Sequence, residues 1–160
     1  MKKSSKNIFI RRAALKDASK IAVIHKNCVL KTNVQFYPSS IIKEWIKQIA
    51  VKNIKNQLKN SYWFVLKLKN KIIGFCQFSL KEKTLYQINI SPKYQNKKYG
   101  KLLYDFIEKY FSENNINKIY LNSTLNAINF YKNLGFKKVK QIKFKLNKTS
   151  IKMVKMKKEL

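Results

Sequence analysis

Apolar residues recur at helical spacing through Leu102, Leu103, Phe106, Ile107, Tyr110 and Phe111, a stripe that Gly100 opens. Just before it, a short alternating run over residues 84–90 stops ahead of Pro92 and gives way to a polar loop, so this stretch reads as strand, loop, helix. Near the start, residues 8–10 form a short apolar strand. Ala18, Ile21, Ala22, His25, Cys28 and Val29 then share one helical face, with Asp17 in the first turn where a carboxylate suits the helix dipole. His25, the only histidine, lies on the apolar side of that helix, where the expected role is packing. Residues 31–38 are unpatterned. Ser39 or Ser40 can then cap a helix that carries Ile41, Ile42, Trp45, Ile46 and Ile49 on one side.

Residues 62–68 and 71–78 are rich in aromatic and β-branched side chains and flank a tight turn, which predicts a hairpin. Gly74 inside its second arm marks a bulge or a close backbone contact. A turn at residues 81–83 leads into the strand over 84–90. After the central helix come a buried-type strand over 118–122, a helix over 126–134 capped by Ser123 or Thr124 and stopped at Gly135, and two lysine-alternating strands over 139–146 and 151–156. Four antiparallel strands, a helix, a crossover strand, a helix and a closing hairpin predict an α/β (α+β) domain over residues 1–160. Its mixed, mostly antiparallel sheet of about seven strands contains one parallel neighbour pair forced by the central helix.

Composition narrows the class. A chain of 160 residues with 45% hydrophobic content suits one core. Its longest apolar runs are far too short to span a bilayer, and residues 1–7 lead into no apolar leader core, so a soluble, cytoplasmic protein without a membrane partner is expected. Cys28 and Cys76 are isolated thiols, and no metal site is expected. The net charge of +29 points toward polyanions, yet all but two of the 36 basic residues are lysine, and the abundance of Asn, Ile and Lys matches an AT-rich coding bias. A solvated lysine surface is therefore expected, with no dedicated nucleic-acid partner. The competing class is a basic RNA-binding or ribosome-binding module.

A loop that climbs from a strand into a helix leaves first-turn amides unpaired at the positive end of the dipole, and Lys97, Lys98 and Lys101 add charge there. This stretch, Gln95-Asn-Lys-Lys-Tyr-Gly100 after Ser91-Pro-Lys-Tyr94, resembles the acetyl-coenzyme A loop of the GNAT superfamily of N-acetyltransferases, whose pattern is Arg/Gln-x-x-Gly-x-Gly/Ala. Gln95 and Gly100 fit that pattern. Lys98 stands in place of the middle glycine, and Asn96 replaces another frequent one. Three other stretches are similar to the family: the opening from Ile10 to Ile21, the Ile-Gly-Phe of the third strand, and Asn126-Ala-Ile-Asn-Phe-Tyr-Lys-Asn-Leu-Gly-Phe136, which matches the second signature without a gap.

The resemblance implies acetyl-coenzyme A as cosubstrate and an amine as acceptor, in a monomer or homodimer. It implies that backbone groups at Ile88, Asn89 and Ile90 pair with the pantetheine arm, and that Gln95, Asn96, Lys97, Lys98, Tyr99, Gly100 and Lys101 hold the pyrophosphate, with Asn126 also on the cofactor. It makes Tyr131 the residue that protects or protonates the departing thiolate, and it puts Phe36 and Tyr37 among the acceptor contacts, with Trp45 more a core residue than a contact. For the general base, the family's fourth-strand glutamate position reads as Thr84, which leaves Glu82, two residues earlier, as the candidate beside ordered water or bulk solvent. A further possibility within the resemblance is a GNAT-fold protein that binds coenzyme A and catalyses weakly.

Overall fold

The computed structural model describes residues 7–160; the first six, read above as part of a segment with no leader core, lie outside the described residues. Seven strands form one sheet: β1 (Ile8–Arg12), β2 (Tyr62–Leu68), β3 (Lys71–Ser79), β4 (Thr84–Ile90), β5 (Lys118–Thr124), β6 (Lys137–Leu146) and β7 (Thr149–Glu159). Their order is β1-β2-β3-β4-β5-β7-β6, and every neighbouring pair is antiparallel except β4 with β5. The parallel pair follows from the helix α4 (Tyr99–Glu113), which carries the chain back to the end at which β4 began before β5 starts beside it.

Strand alternation divides the core in two. On β2, Phe64 and Leu66 face a cluster built with Leu103, Ile107 and Phe111 of α4, while Trp63 and Val65 face a second cluster with α1 (Ala18–Lys31), α2 (Ser39–Gln48) and α3 (Val51–Gln57). Leu103, Ile107 and Phe111 are fully buried, and each contributes roughly 2 kcal/mol of transfer free energy, which pins α4 and the loop that precedes it. The six-residue α5 (Ile128–Asn133) is too short to hold alone; Phe130 and Tyr131 meet edge-on at 5.1 Å, and Tyr131 meets Phe136 at 5.7 Å.

Three local expectations need correction. The first turn of α2 is not capped by serine: Pro38, extended at φ −60° and ψ 153°, is the N-cap, and its carbonyl accepts from the amides of Ile41 and Ile42, so Ser39 and Ser40 lie inside the turn. Thr124 opens a single 3-10 turn without a side-chain cap and Ser123 donates to Thr124 O at 2.8 Å, so α5 starts only at Ile128. Asp17 is the N-cap of α1, but its carboxylate accepts two bonds from Arg11, at 2.7 and 2.9 Å, and one from the Ala14 amide at 2.7 Å; the Arg11 bonds hold it below the usual carboxylate range. α3 had no expectation at all, since only Ile54 is buried along its seven residues. Among the described residues no helix is long and apolar enough to cross a membrane.

Candidate active site

The two parallel strands separate. β4 pairs with β5 only at Thr84 with Tyr120 and Leu85 with Leu121. At that point the register between β3 and β4 shifts: Phe78 faces Leu85 and Gln77 faces Gln87, which leaves Tyr86 as the extra residue of a bulge. A bulge bends its strand. β4 continues along β3 as far as Ile90 opposite Gly74, and β5 continues along β7 as far as Thr124 opposite Met153, so the β5-facing edge of Ile88, Asn89 and Ile90 has no strand partner. Gly74 is required for this course, because a Cβ there would stand 2.6 Å from Ile90 Cδ1 and 2.9 Å from Asn89 O. The wedge between the strands opens into a cavity of about 210 Å³.

One wall of the cavity is amide-rich. Asn89 donates to Gln87 at 2.8 Å, Gln87 to Gln77 at 2.8 Å, and Gln77 to Ser61 at 3.1 Å, where the Trp63 indole also donates at 2.9 Å. Gln87 and Asn89 share a face because they are two apart on a strand, and the ladder fixes their rotamers. On β5 the same alternation turns Asn122 and Thr124 toward the cavity while Leu121 and Ser123 are buried. The opposing wall is apolar: Trp45 from α2 with Phe144, Leu146, Ile151 and Met153 from the closing hairpin. Trp45 is thus both packed and cavity-lining.

Asn126 and Tyr131 reach the cavity from the segment after β5. Asn126 Oδ1 is buried without a hydrogen-bond partner, which costs free energy unless something at the cavity supplies a donor. Tyr131 is buried, and burial pushes its phenol above the usual tyrosine value, so it stays protonated and keeps a proton to donate. Tyr86 faces the cavity from β4 and donates its phenolic proton to Glu82. Burial first, then the bond to Glu82, push that phenol up to about 12. Glu82 itself is exposed in the turn before β4 and does not line the cavity. His25 lines it from α1, edge-on to Phe75 at 6.0 Å, and burial pushes its imidazole down to about 4.

The loop before α4 presents the expected uncapped helix start. Lys98 is the N-cap at φ 66°, its side chain makes no capping bond, and the first backbone bond into the helix runs from Leu102 N to Lys98 O at 3.1 Å. Asn96 is also left-handed at φ 60°. The two residues that stand where the family pattern has glycine therefore adopt the backbone that glycine favours, at roughly 1–2 kcal/mol each in strain. Gly100 allows close packing, since a Cβ would stand 3.2 Å from the Phe130 ring. Tyr99 is buried, Lys97 is exposed near the Tyr94 ring, and Lys101 pairs with Asp105 at 2.7 Å. Gln95 turns inward: its amide donates to Ile90 O at 2.9 Å, where the Cys28 thiol also donates at 3.1 Å, so it ties the loop to the end of β4.

Of the expected acceptor residues, Tyr37 is buried and fully engaged, donating to Lys152 O at 2.7 Å and accepting from the Leu125 amide at 3.0 Å. Phe36 is exposed, and neither lines the cavity. Tyr86, Gln87, Asn122, Thr124 and His25 do line it and were not named as site residues from sequence. Gln87 was within reach of strand periodicity from Asn89; Tyr86 was not, because a bulge breaks that period.

Comparison with known proteins agrees with this geometry. The chain is 30% identical over 96 residues to an uncharacterised N-acetyltransferase of Acanthamoeba polyphaga mimivirus, a match that covers 55% of this chain and 23% of that much longer relative. The fold superposes on a GCN5-related N-acetyltransferase from Rhodopseudomonas palustris with a TM-score of 0.89 at 17% identity, covering 95% of each chain. It also superposes on the PaiA N-acetyltransferase of Thermoplasma acidophilum, solved in complex with coenzyme A, with a TM-score of 0.80 at 20% identity, over 96% of this chain and 99% of that one. Residues 18–160 match the acetyltransferase (GNAT) domain, and the chain belongs to that family.

Proposed function

We propose that the chain is an acetyl-coenzyme A-dependent N-acetyltransferase, acting on a primary amine by direct attack. The observation that carries this reading is the edge of Ile88 and Asn89, which among the described residues no strand pairs, beside the partnerless Asn126 Oδ1, which together offer backbone and side-chain hydrogen bonds to an extended amide-bearing ligand; at the end of that edge the Ile90 carbonyl is already held by Gln95 and Cys28. The amides of Tyr99, Gly100 and Lys101 at the start of α4, with the ammonium groups of Lys97 and Lys98, suit the phosphates. The coenzyme supplies a thioester carbonyl with a thiolate leaving group.

The chain's own residues then divide the proton work. As the amine nitrogen bonds to the carbonyl carbon and the carbon–sulfur bond breaks, the nitrogen must lose a proton and the sulfur must be stabilised. Tyr131 is suited to the second task. A thiol has an ordinary pKa near 8.5, so a phenol held above 10 donates a hydrogen bond to the thiolate without surrendering its proton. Tyr86 and Glu82 are suited to the first: Tyr86 Oη accepts the amine proton as its own proton moves to the Glu82 carboxylate, and Glu82, exposed, returns it to solvent. Titration calorimetry tests the reading. Acetyl-coenzyme A is expected to bind, more weakly as salt rises because lysines contribute; no heat of binding at millimolar ligand contradicts it.

A further inference from the structure

Seven carboxylates serve the whole chain, and none lines the cavity. Six are neutralised by a basic partner: Asp17 by Arg11, Glu44 by Lys47, Asp105 by Lys101, Glu108 by Lys158, Glu113 by Lys109 and Glu159 by Lys118. The seventh, Glu82, has no lysine or arginine on it among the described residues despite Lys81 and Lys83 beside it, and holds the hydroxyl of Tyr86, which lines the cavity. The cavity walls are neutral throughout. Amide groups of Asn33, Gln87 and Asn89 can solvate a polar substrate without neutralising a cation, and the surrounding net charge of +29 repels one.

The other wall shows what the cavity accepts. Phe144 is 48% exposed and Tyr86 38% exposed, two aromatics that line the cavity together with Trp45, Leu146 and Ile151. What sets these two apart from the chain's other exposed apolar side chains is that both line the same cavity, where a ligand entering it meets them. The cavity's volume of about 210 Å³ also includes the face of Ile88, Asn89, Asn126 and Tyr131 that the coenzyme would occupy, so the acceptor's share is smaller still against the 300–1,000 Å³ common for drug-sized ligands.

We infer that the acceptor is a small primary amine with a single positive charge, carried on an apolar, ring-sized body that lies between Phe144 and Tyr86. This rests on the acetyltransferase reading and specifies its substrate class. Polyamines, aminoglycosides and lysine-rich peptides are disfavoured, because each would leave a second ammonium in an uncharged, partly desolvated cavity. Two sources share the favoured chemistry, a free aralkylamine and the N-terminus of a short peptide that begins with an apolar residue.

The test is thiol release from acetyl-coenzyme A with phenethylamine, the tripeptide Phe-Gly-Gly, ethylamine, spermidine and kanamycin as acceptors, with acetyl-coenzyme A affinity measured on the same sample. The inference expects kcat/KM for phenethylamine or Phe-Gly-Gly to exceed that for spermidine and kanamycin by about tenfold or more; which of the first two is faster identifies the source. Phe144→Ala, at an exposed position where folding is safe, should raise the KM for the better of those two about tenfold while the Kd for acetyl-coenzyme A stays unchanged. Asn89→Asp should bring a carboxylate to the wall and improve spermidine relative to phenethylamine several-fold. Preference for a polycation, or tight cofactor binding with none of the apolar monoamines acetylated, overturns the inference alone. Failure to bind acetyl-coenzyme A overturns the reading beneath it.

Discussion

Two tyrosines line one cavity from different elements, and their surroundings give them different capacities. Tyr131, on the short helix after β5, is buried among aromatic rings, and burial is the first cause of its raised phenol. Tyr86, on the bulge of β4, stands at the opening with its proton already directed at a carboxylate. Both phenols are raised, but only one has an acceptor behind it. A tyrosine alone can hold a negative sulfur; a tyrosine with a glutamate can pass a proton through and be left unchanged. The same contrast extends to the elements that carry them. The Tyr131 side is set by aromatic packing, whereas the Tyr86 side is set by a bulge, a hydrogen-bonded ladder and a tied-down loop.

Removing the hydroxyl on the buried side should have the largest effect. Tyr131→Phe is expected to lower kcat about 100-fold with little change in acetyl-coenzyme A affinity, as loss of one donor to developing negative charge usually does; steady-state rates beside calorimetric Kd values check it, and equal losses in both would make the residue structural.

The next prediction concerns stability, through a third residue that lines the cavity. His25 titrates near 4 in the folded chain against an ordinary 6.5, so the unfolded chain takes up the proton first. Stability should therefore fall as pH drops from 6.5 toward 4, by about 3 kcal/mol in all, and His25→Gln should flatten that slope in urea melts across the range.

Smaller effects are expected where water can substitute. Tyr86→Phe and Glu82→Gln should each lower kcat about tenfold, and the double variant should be no worse than either single one, because the two groups act as one path. Additive losses in the kinetic cycle would separate them. Smallest of all, Lys98→Gly should stabilise the chain by about 0.5–1 kcal/mol in chemical denaturation, since glycine relieves the left-handed strain and returns part of the gain as chain entropy.

The fold was legible because long periodic segments were consistent with one another: the apolar stripe of α4 and the alternation of β2 through β5 admit few arrangements. The motif from Asn126 to Phe136 singled out Asn126 and Tyr131, and both line the cavity. What stayed hidden depends on tertiary detail. Whether a serine caps a helix turned on Pro38, one residue earlier. Gln95 carries the right residue type for a phosphate loop, yet its side chain faces the strand end, and Tyr37 is held in two structural bonds. His25 reads as core from helical spacing, because a helix face that packs a sheet and one that lines a wedge between its strands have the same period.

The central claim is that an acylated coenzyme completes the sheet between β4 and β5. Amide hydrogen exchange, with and without acetyl-coenzyme A, tests it most directly. The account predicts new protection confined to Ile88, Asn89 and Ile90 and to residues 96–101, with the paired stretch at Thr84 and Leu85 unchanged. Binding without protection at Ile88 to Ile90, or protection located elsewhere on the lysine surface, would contradict it.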